Sequence, residues 1–522
     1  MEWMGAPLEP MAVPGEEPSD LPRRIRAAAI ARPDHVMLVD GEITFTAAEL
    51  AARMDRVAAA LAAQGLERGD VIATLAGVTA SHVILFLGAA ALGVAVAPVP
   101  VSAHPDAVDR MLRNADAAMV FGDDRAAGLD TAGLPRRDLE DFVDKARETD
   151  PLPPRVLAPE LLFDIIYSSG TTGAPKGIEH DVRFRDRQVS RFARFGLDAD
   201  AVALFSTPIY SNTTLATLIP ALGQGARVCL MRKFDEAGFL QLAERHRVTH
   251  AMMVPVQIRR LVEFPDFGRY DLSRFQVKFS TSAPLPPAVV REVLARWPGR
   301  MINIYGMTEG GVSTVLDCSA HPDKLHTVGR PAPHAEIRII DGEGRSLPPG
   351  EAGEVVGRSG TLMRGYRKSP ETTRGIVWIS PEGDAYIRSG DMGKFDEDGF
   401  LMLLDRQKDV IISGGFNIYS ADIEAVLEKH PDVYEAAVIG VPSARWGETP
   451  VACVILHEGA EASGDEILNW VNARLGRIQW LTGIAVVPAL PRNAIGKVLK
   501  RELRENWERL QAPAPAAAMP GQ

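Results

Sequence analysis

The chain reads as an α/β protein of layered sheets and helices, with a smaller α+β unit at its C-terminus, and three observations predict this. Its 522 residues exceed what one ordinary hydrophobic core serves, so at least two domains are expected. From residue 36 onward, apolar runs of strand length alternate with amphipathic helical stretches, the pattern of helices layered on sheets. After residue 330 the runs shorten and are broken by Gly, Pro and Asp, as in antiparallel sheet, and past residue 417 a compact helix-and-strand unit begins.

Each element has its own warrant. The opening "MEWMGAPLEPMAVPGEEPSD" is acidic and Pro-rich and lacks a basic start and an apolar stretch, so residues 1–19 read as a disordered lead-in rather than a signal peptide. "ELAARMDRVAAALAAQGL" (49–66) has helical spacing and stops at Gly65, and "DVIATLAG" (70–77) follows as a strand. "VILFLGAAALGVAVAPVPV" (83–101) is uncharged and nearly long enough to span a bilayer. Its glycines, Pro98, Pro100 and Val-rich second half predict instead a buried helix followed by a buried parallel strand, and no membrane span. "AMVFG" (118–122), "LLFDIIYSS" (161–169), "GARVCLM" (225–231) and "THAMMVP" (249–255) read as strands. "RFRDRQVSRFARF" (183–195), a basic cluster containing an acid, reads as a solvated helix face. "PPAVVREVLARWPG" (286–299) is a helix with Pro at its start and Pro-Gly at its stop, and "MINIYGMTE" (301–309) is a strand running into a polar turn. "AEIRIID", "GEVVGRSG" and "GFLMLLD" are the short antiparallel strands. The last unit reads as a helix over 421–430, strands "AAVIGV" and "PVACVIL", a helix opened by the capping box "SGDE" at 463–466, and strand "GIAVVP". The low-complexity tail 511–522 reads as flexible, and no internal repeat stands out.

The formal charge of -11 leaves no basic surplus for phosphate backbones, which excludes nucleic acid as a main partner. Cys229, Cys318 and Cys453 are far apart and odd in number, with neither metal spacing nor a disulfide framework, so a reducing cytoplasm is the expected location. "YSSGTTGAPKG" (167–177) concentrates donors and removes bulk: Gly170, Gly173 and Gly177 free backbone N–H groups, Ser168, Ser169, Thr171 and Thr172 add hydroxyls, and Lys176 adds a cation. That suits an anion with many oxygens, phosphate first, although Gly, Ser and Thr also make ordinary loops. It is not a Walker A loop, because Pro175 precedes the lysine and Gly177 follows it where a magnesium-binding hydroxyl is needed.

Five motifs in one order carry a resemblance: the stretch just described, then "YGMTE" (305–309), "YIRSGDMG" (386–393), "DRQKDVIISGGFN" (405–417) and "PRNAIGKVLKREL" (491–503). Together, from about residue 20 to about 505, the chain resembles the adenylate-forming superfamily of acyl-CoA synthetases, amino-acid adenylation domains and luciferases. The resemblance implies a large N-terminal domain with several subdomains of mixed sheets flanked by helices (20–404), a hinge (405–408) and a small mobile α+β lid (409–510). It also implies two half-reactions. A carboxylate attacks the α-phosphate of Mg-ATP and expels pyrophosphate; a thiol, that of coenzyme A, then attacks the mixed anhydride and expels AMP.

The implied roles suit the residue types, since phosphoryl chemistry asks for positioning and charge neutralisation. Residues 168–176 would hold the β- and γ-phosphates, with Lys176 as the cation. Thr308 would donate to the α-phosphate, and Glu309 would ligate Mg²⁺, which takes oxygen ligands and keeps most of its waters. Tyr305 resembles the aromatic that packs on adenine. Asp391 would accept from both ribose hydroxyls, and Arg406 would also reach the ribose. Lys497, beside Gly496 that removes bulk there, would bridge the attacking carboxylate and the α-phosphate. Lys408 occupies the hinge, and Gly414 and Gly415 resemble the loop that lines the pantetheine channel.

Two departures from the family pattern bear on the acid. Ser211 in "PIYS" stands where an imidazole is common, and Thr281 and Ser282 in "STSAPL" (280–285) stand where small residues, often glycine, are common. That loop resembles the wall between adenine and acyl pockets, so a restricted or unusually polar pocket is expected, with Tyr210 helping to close it and Gly306 lining it. The expected substrate is a modest aromatic, alicyclic or medium-chain acid. "FSTPIYSNTTL" (205–215) offers no acid for a substrate ammonium, and no carrier domain follows, which favours a free-standing acid:CoA ligase. An adenylating enzyme delivering to a carrier protein and a luciferase-like oxygenase stay open. So, from other classes, do a catalytically dead scaffold and an unrelated ATP-hydrolysing α/β fold. A homodimer is admitted as an assembly.

Overall fold

Apolar runs too long for one strand resolve into helix plus strand, and these stack into sheets that deliver the motifs to their edges. The structure is a computed structural model that describes residues 8–14, 19–168, 175–413, 416–443, 445–492 and 496–511. The chain divides into two compact units: Met1–Arg338, Val356–Ser389 and Asp398–Leu401 form the first, and Ile339–Val355, Gly390–Glu397 and Met402–Gln522 the second.

In the first unit, the stretch from 83 is a buried helix, Ala80–Leu92, and a strand, Ala95–Pro98, as the Val-rich second half predicts. That strand belongs to a seven-stranded sheet ordered Gly365–Tyr366, Lys176–Asp181, Leu162–Ser168, Ala95–Pro98, Val71–Leu75, Met119–Gly122 and Arg136–Asp138. Its neighbours from Leu162–Ser168 to Arg136–Asp138 pair in parallel, whereas Lys176–Asp181 returns antiparallel and sets Lys176 opposite Ser168. A nine-stranded sheet runs Arg330–Pro331, Ser313–Asp317, Arg300–Gly306, Val277–Ser280, His250–Met253, Val202–Phe205, Arg227–Leu230, Val36–Asp40 and Ile43–Thr46. Its antiparallel edge sets Gly306 opposite Ser313. No helix among the described residues is long and apolar enough to cross a membrane.

Two readings are corrected here. The stretch 183–195 is a helix, Val182–Ala193, but its face is not solvated: Phe184, Arg185, Asp186, Gln188, Val189 and Phe192 are buried. Its charges go inside because they are paired there, Arg185 with Asp164 at 2.7 Å and Asp186 with Arg24 at 2.7 Å. The lead-in is ordered over residues 8–14, where Leu8 is buried among Ile178, Leu362, Met363, Tyr366 and Ile387, and the Met11 N–H donates to the Ser359 carbonyl at 3.0 Å.

The second unit contains a sheet ordered Phe416–Ile418, Ile411–Ser413, Gly447–Leu456 and Val433–Ser443, with Ile484–Val486 parallel to Gly447–Leu456. Helix Ser420–Leu427 ends before the expected residue 430, and the capping box at Ser463 and Glu466 is present, opening Gly464–Asn472. One apolar cluster gathers Ile411, Ile423, Val438 and Ile467, and another gathers Ile439, Val451, Leu503 and Trp507. The tail from 512 lies outside the described residues.

Candidate active site

Strand Arg300–Gly306 carries Tyr305 and Gly306 at its C-terminal end, and Thr308 and Glu309 follow in the turn. Gly310 closes that turn at φ +74°, and a Cβ there would lie 2.2 Å from the Thr361 carbonyl oxygen, so a side chain cannot replace it. Glu309 Oε1 accepts from the Tyr366 hydroxyl at 2.7 Å. Lys176 Nζ sits 5.2 Å from the centre of the same ring, on its face. Burial and the adjacent Glu309 carboxylate raise the Tyr366 pKa, keeping the phenol a donor. Tyr366 is outside every motif, and its only sequence signal is an aromatic in "RGYRK".

Beneath Thr308 lies a buried network that the motifs did not show. His180 Nε2 donates to the Thr308 carbonyl at 2.8 Å. Its Nδ1 lies 2.7 Å from Asp164 Oδ1 and 3.1 Å from Arg185 Nη2. Arg185 Nε donates to Asp164 Oδ2 at 2.7 Å, and its Nη1 donates to Gln188 and Asn212 at 2.9 Å each. The Phe184 ring stacks on the imidazole at 4.0 Å. Burial alone would raise the Asp164 pKa, but Arg185 and His180 hold it below the ordinary value. The backbone at Thr308 is thereby tied to a charge pair anchored on strand Leu162–Ser168.

The residues expected around the acid fall into three segments, two of which are joined by one bond. Ser282, at φ +79°, follows strand Val277–Ser280 and Thr281, and its hydroxyl lies 2.6 Å from that of Thr213. Thr213 sits in helix Asn212–Gly223, whose N-cap is Ser211, accepting from the Thr213 N–H at 3.2 Å. Ser211, expected in place of an imidazole, is therefore a helix cap. Tyr210 is half-buried, burial raises its pKa, and its hydroxyl bonds to Ser102. A Cβ on Gly306 would lie 3.1 Å from the Val312 carbonyl and 3.7 Å from Ser313 Oγ.

In the second unit, Asp391 is buried and pairs with Arg406, Nε to Oδ1, at 2.6 Å. Burial lowers the Lys497 pKa to about 8, helped by Arg406 and Lys408 and opposed by Asp391 and Asp409. Partial desolvation and then Arg406, Arg504 and Arg501 lower that of Lys408, with Asp409 opposing. Gly496 is at φ +80°, so its glycine is explained by backbone conformation, a reason beyond the small bulk expected of it. Ser169, Gly170, Thr171, Thr172, Gly173, Gly414 and Gly415 lie outside the described residues, and Ser168 is described only as strand backbone.

A divalent cation needs oxygen ligands, and Glu309 offers a carboxylate oriented by Tyr366. The described residues hold no cluster of three or more His, Cys, Asp or Glu fit for a metal. A cation at Glu309 would therefore be completed by water and phosphate oxygens, the manner of Mg²⁺.

Known proteins resemble the chain over most of its length. Residues 25–367 match the AMP-binding enzyme family, and residues 422–497 match the AMP-binding enzyme C-terminal domain. A feruloyl-CoA synthase of an Amycolatopsis species is 31% identical over 474 residues, covering 90% of this chain and 95% of that protein. 4-Coumarate–CoA ligase 1 of Oryza sativa subsp. japonica is 32% identical, covering 91% and 90%. Among solved structures, ATP-bound MatB from Rhodopseudomonas palustris superposes with a TM-score of 0.85 at 28% identity, covering 94% of this chain and 99% of that one. An o-succinylbenzoate CoA synthetase from Bacillus subtilis holding its acyl-adenylate superposes at 0.83 with 26% identity, covering 93% and 99%. With both parts matched and relatives aligned over nearly their full length, this chain belongs to the AMP-binding enzyme family of adenylate-forming ligases.

Proposed function

We propose that this chain is an AMP-forming carboxylic acid:CoA ligase. It makes an acyl-adenylate from ATP and an acid, releasing pyrophosphate, and passes the acyl group to coenzyme A, releasing AMP. The observation that carries this reading is the meeting of Lys176 and Glu309 on one aromatic ring. A cation from the phosphate-loop strand and a carboxylate more than a hundred residues later are both set by Tyr366. That pairing supports Lys176 as the partner of phosphate oxygens and Glu309 as the holder of Mg²⁺, which would neutralise the pyrophosphate as it leaves.

In this reading Thr308 donates to the α-phosphate, and the Thr308–His180–Asp164 chain fixes where that donor stands. Tyr305 packs on the base, Asp391 and Arg406 take the ribose, and Lys497 supplies the charge between carboxylate and α-phosphate. Residues 168–173 complete the phosphate loop, 405–408 act as a hinge with Lys408 at its pivot, and Gly414 and Gly415 line the thiol's route. Tyr210, Ser211, Thr281, Ser282 and Gly306 border the acid. The three cysteines are free and buried, which supports a reducing cytoplasm as the setting.

The test is a library of carboxylic acids incubated with ATP, Mg²⁺ and coenzyme A, with nucleotide products separated and thioesters detected. AMP, pyrophosphate and an acyl-CoA are expected. ADP as the main nucleotide, or pyrophosphate release with no CoA thioester from any acid, would overturn the assignment.

A further inference from the structure

We propose that Arg191, together with Ser313, forms the floor of the acid pocket and receives a second carboxylate, so that the substrate is a dicarboxylic acid activated at one end. This rests on the ligase reading above and names the class of acid that the same site takes.

Two arginines of helix Val182–Ala193 make the case by contrast. Arg185 is all but fully buried and finds Asp164, Gln188 and Asn212. Arg191, less than two turns later, donates to the Ser313 hydroxyl at 2.6 Å and has no carboxylate partner among the described residues. The other charge that acts on it is Arg194, which is of the same sign. A guanidinium carries five donors and does not shed its charge in proteins, so a lone hydroxyl leaves it poorly served away from water.

Arg191 is half-buried, and burial and Arg194 lower its pKa to about 10. Helical side chains lean toward the helix N-terminus, which takes Arg191 from the last turn back toward Ser313. Ser313 pairs directly with Gly306, so the two lie on one face of the sheet. A Cβ on Gly306 would lie 3.1 Å from the Val312 carbonyl and 3.7 Å from Ser313 Oγ, so the side of this glycine that lacks a side chain faces the hydroxyl that Arg191 holds.

A planar guanidinium with a free edge matches a carboxylate in two parallel hydrogen bonds. One carboxylate of a dicarboxylic acid would be adenylated while the other pairs with Arg191. A monocarboxylic acid of equal length would leave this charge unpaired under an apolar end, which binding sites built on polar groups reject strongly.

Matched pairs of acids test this on the full chain: glutarate with pentanoate, adipate with hexanoate, and terephthalate with 4-methylbenzoate. Pyrophosphate release gives kcat/KM for each. The dicarboxylic member should be preferred by about 100-fold in at least one pair, through KM more than kcat. Arg191→Met, close in volume but uncharged, should cut that ratio by a similar factor, and Arg191→Lys should recover part of it. If Arg191→Met does not fold by circular dichroism, Ser313→Ala takes its place and should lower the ratio several-fold. Preference for the monocarboxylic member in every pair, or ratios unmoved by these substitutions, would overturn the inference and leave the ligase reading standing. Absence of pyrophosphate release with every acid would overturn both.

Discussion

In the first unit Asp164, His180 and Arg185 are all but fully buried, and each polar group among them faces a partner. In the second, Lys497 is half-buried, and desolvation together with the like charges of Arg406 and Lys408 pushes its pKa down to about 8. The first arrangement fixes a position, because a paired and hydrogen-bonded charge resists displacement. The second brings the titration of an ammonium close to neutrality, where its charge is poised. Rigid placement and poised charge are thus assigned to different parts of the chain.

The largest expected effect comes from breaking the placed network. Asp164→Ala leaves the Arg185 guanidinium buried without its carboxylate, and removing one partner of such a pair costs about 3–5 kcal/mol. Denaturant unfolding should show a loss of that order. Asp164's pKa is held below its ordinary value, so its contribution is present above the unfolded carboxylate pKa and lost as pH falls through the lower folded value. A variant as stable as the parent at neutral pH would mean that the charge pair does not anchor Thr308.

Lys497→Ala tests the other side of the comparison. If Lys497 supplies charge to the adenylation transition state as proposed, its loss should cost about 3–4 kcal/mol, two to three orders of magnitude in pyrophosphate release. The same variant, given synthetic acyl-adenylate and coenzyme A, should still form thioester at near the parent rate. On the same proposal, adenylation by the parent should fall as pH rises through about 8 and the ammonium is lost, whereas thioester formation should rise with the thiolate. Rapid-quench measurement of each half-reaction decides both points; parallel pH profiles, or equal impairment of both steps in a folded variant, would refute a dedicated role for Lys497.

What the sequence made legible divides along the same line. The strands, the helix–strand split at 80–98 and the motif order depend on local periodicity and spacing, which a single chain displays. The network under Thr308 depends on strand register, since Leu162–Ser168 and Lys176–Asp181 pair antiparallel and bring residues 164 and 180 side by side. No spacing rule announces that. Polar residues in "RFRDRQVSRFARF" read as solvated because burial of charge is ordinarily unfavourable, and only the partners at Asp164 and Arg24 make it tolerable. Tyr366 is hidden in the sequence for a similar reason: its hydroxyl serves a carboxylate from a distant turn. Gly496 was noticed, but its left-handed backbone could not be read from composition.

Tyr366→Phe separates the ring from the hydroxyl. It keeps the aromatic face under Lys176 and removes the donor to Glu309, a hydrogen bond to a charged group worth about 1.5–3 kcal/mol. Pyrophosphate release should drop about 10- to 100-fold, with a raised Mg²⁺ requirement in a titration at fixed ATP. An unchanged Mg²⁺ dependence would detach Glu309 from the metal.

The smallest effect sharpens the comparison by asking whether the first unit, whose Asp164–His180–Arg185 network is paired throughout, carries a cost in the backbone instead. Ser282 is held at φ +79°, where a non-glycine residue loses roughly 1–2 kcal/mol to the clash of its Cβ. Against that stands its hydroxyl contact with Thr213 at 2.6 Å, a bond worth about 0.5–1.5 kcal/mol net. Two substitutions pull these terms apart. Ser282→Ala keeps the strain and loses the bond, so it should destabilise by about 1 kcal/mol. Ser282→Gly loses both, and the gain and loss should nearly cancel, leaving it about 1 kcal/mol more stable than the alanine variant. Both free the loop from helix Asn212–Gly223, so each should broaden the range of acid lengths accepted, in graded steps of about 1–3 kcal/mol per methylene. Paired urea melts and an acid-length series measure the two effects separately. If the glycine variant is no more stable than the alanine variant, Ser282 holds no strain. If neither changes the length profile, the Thr213–Ser282 contact does not border the acid.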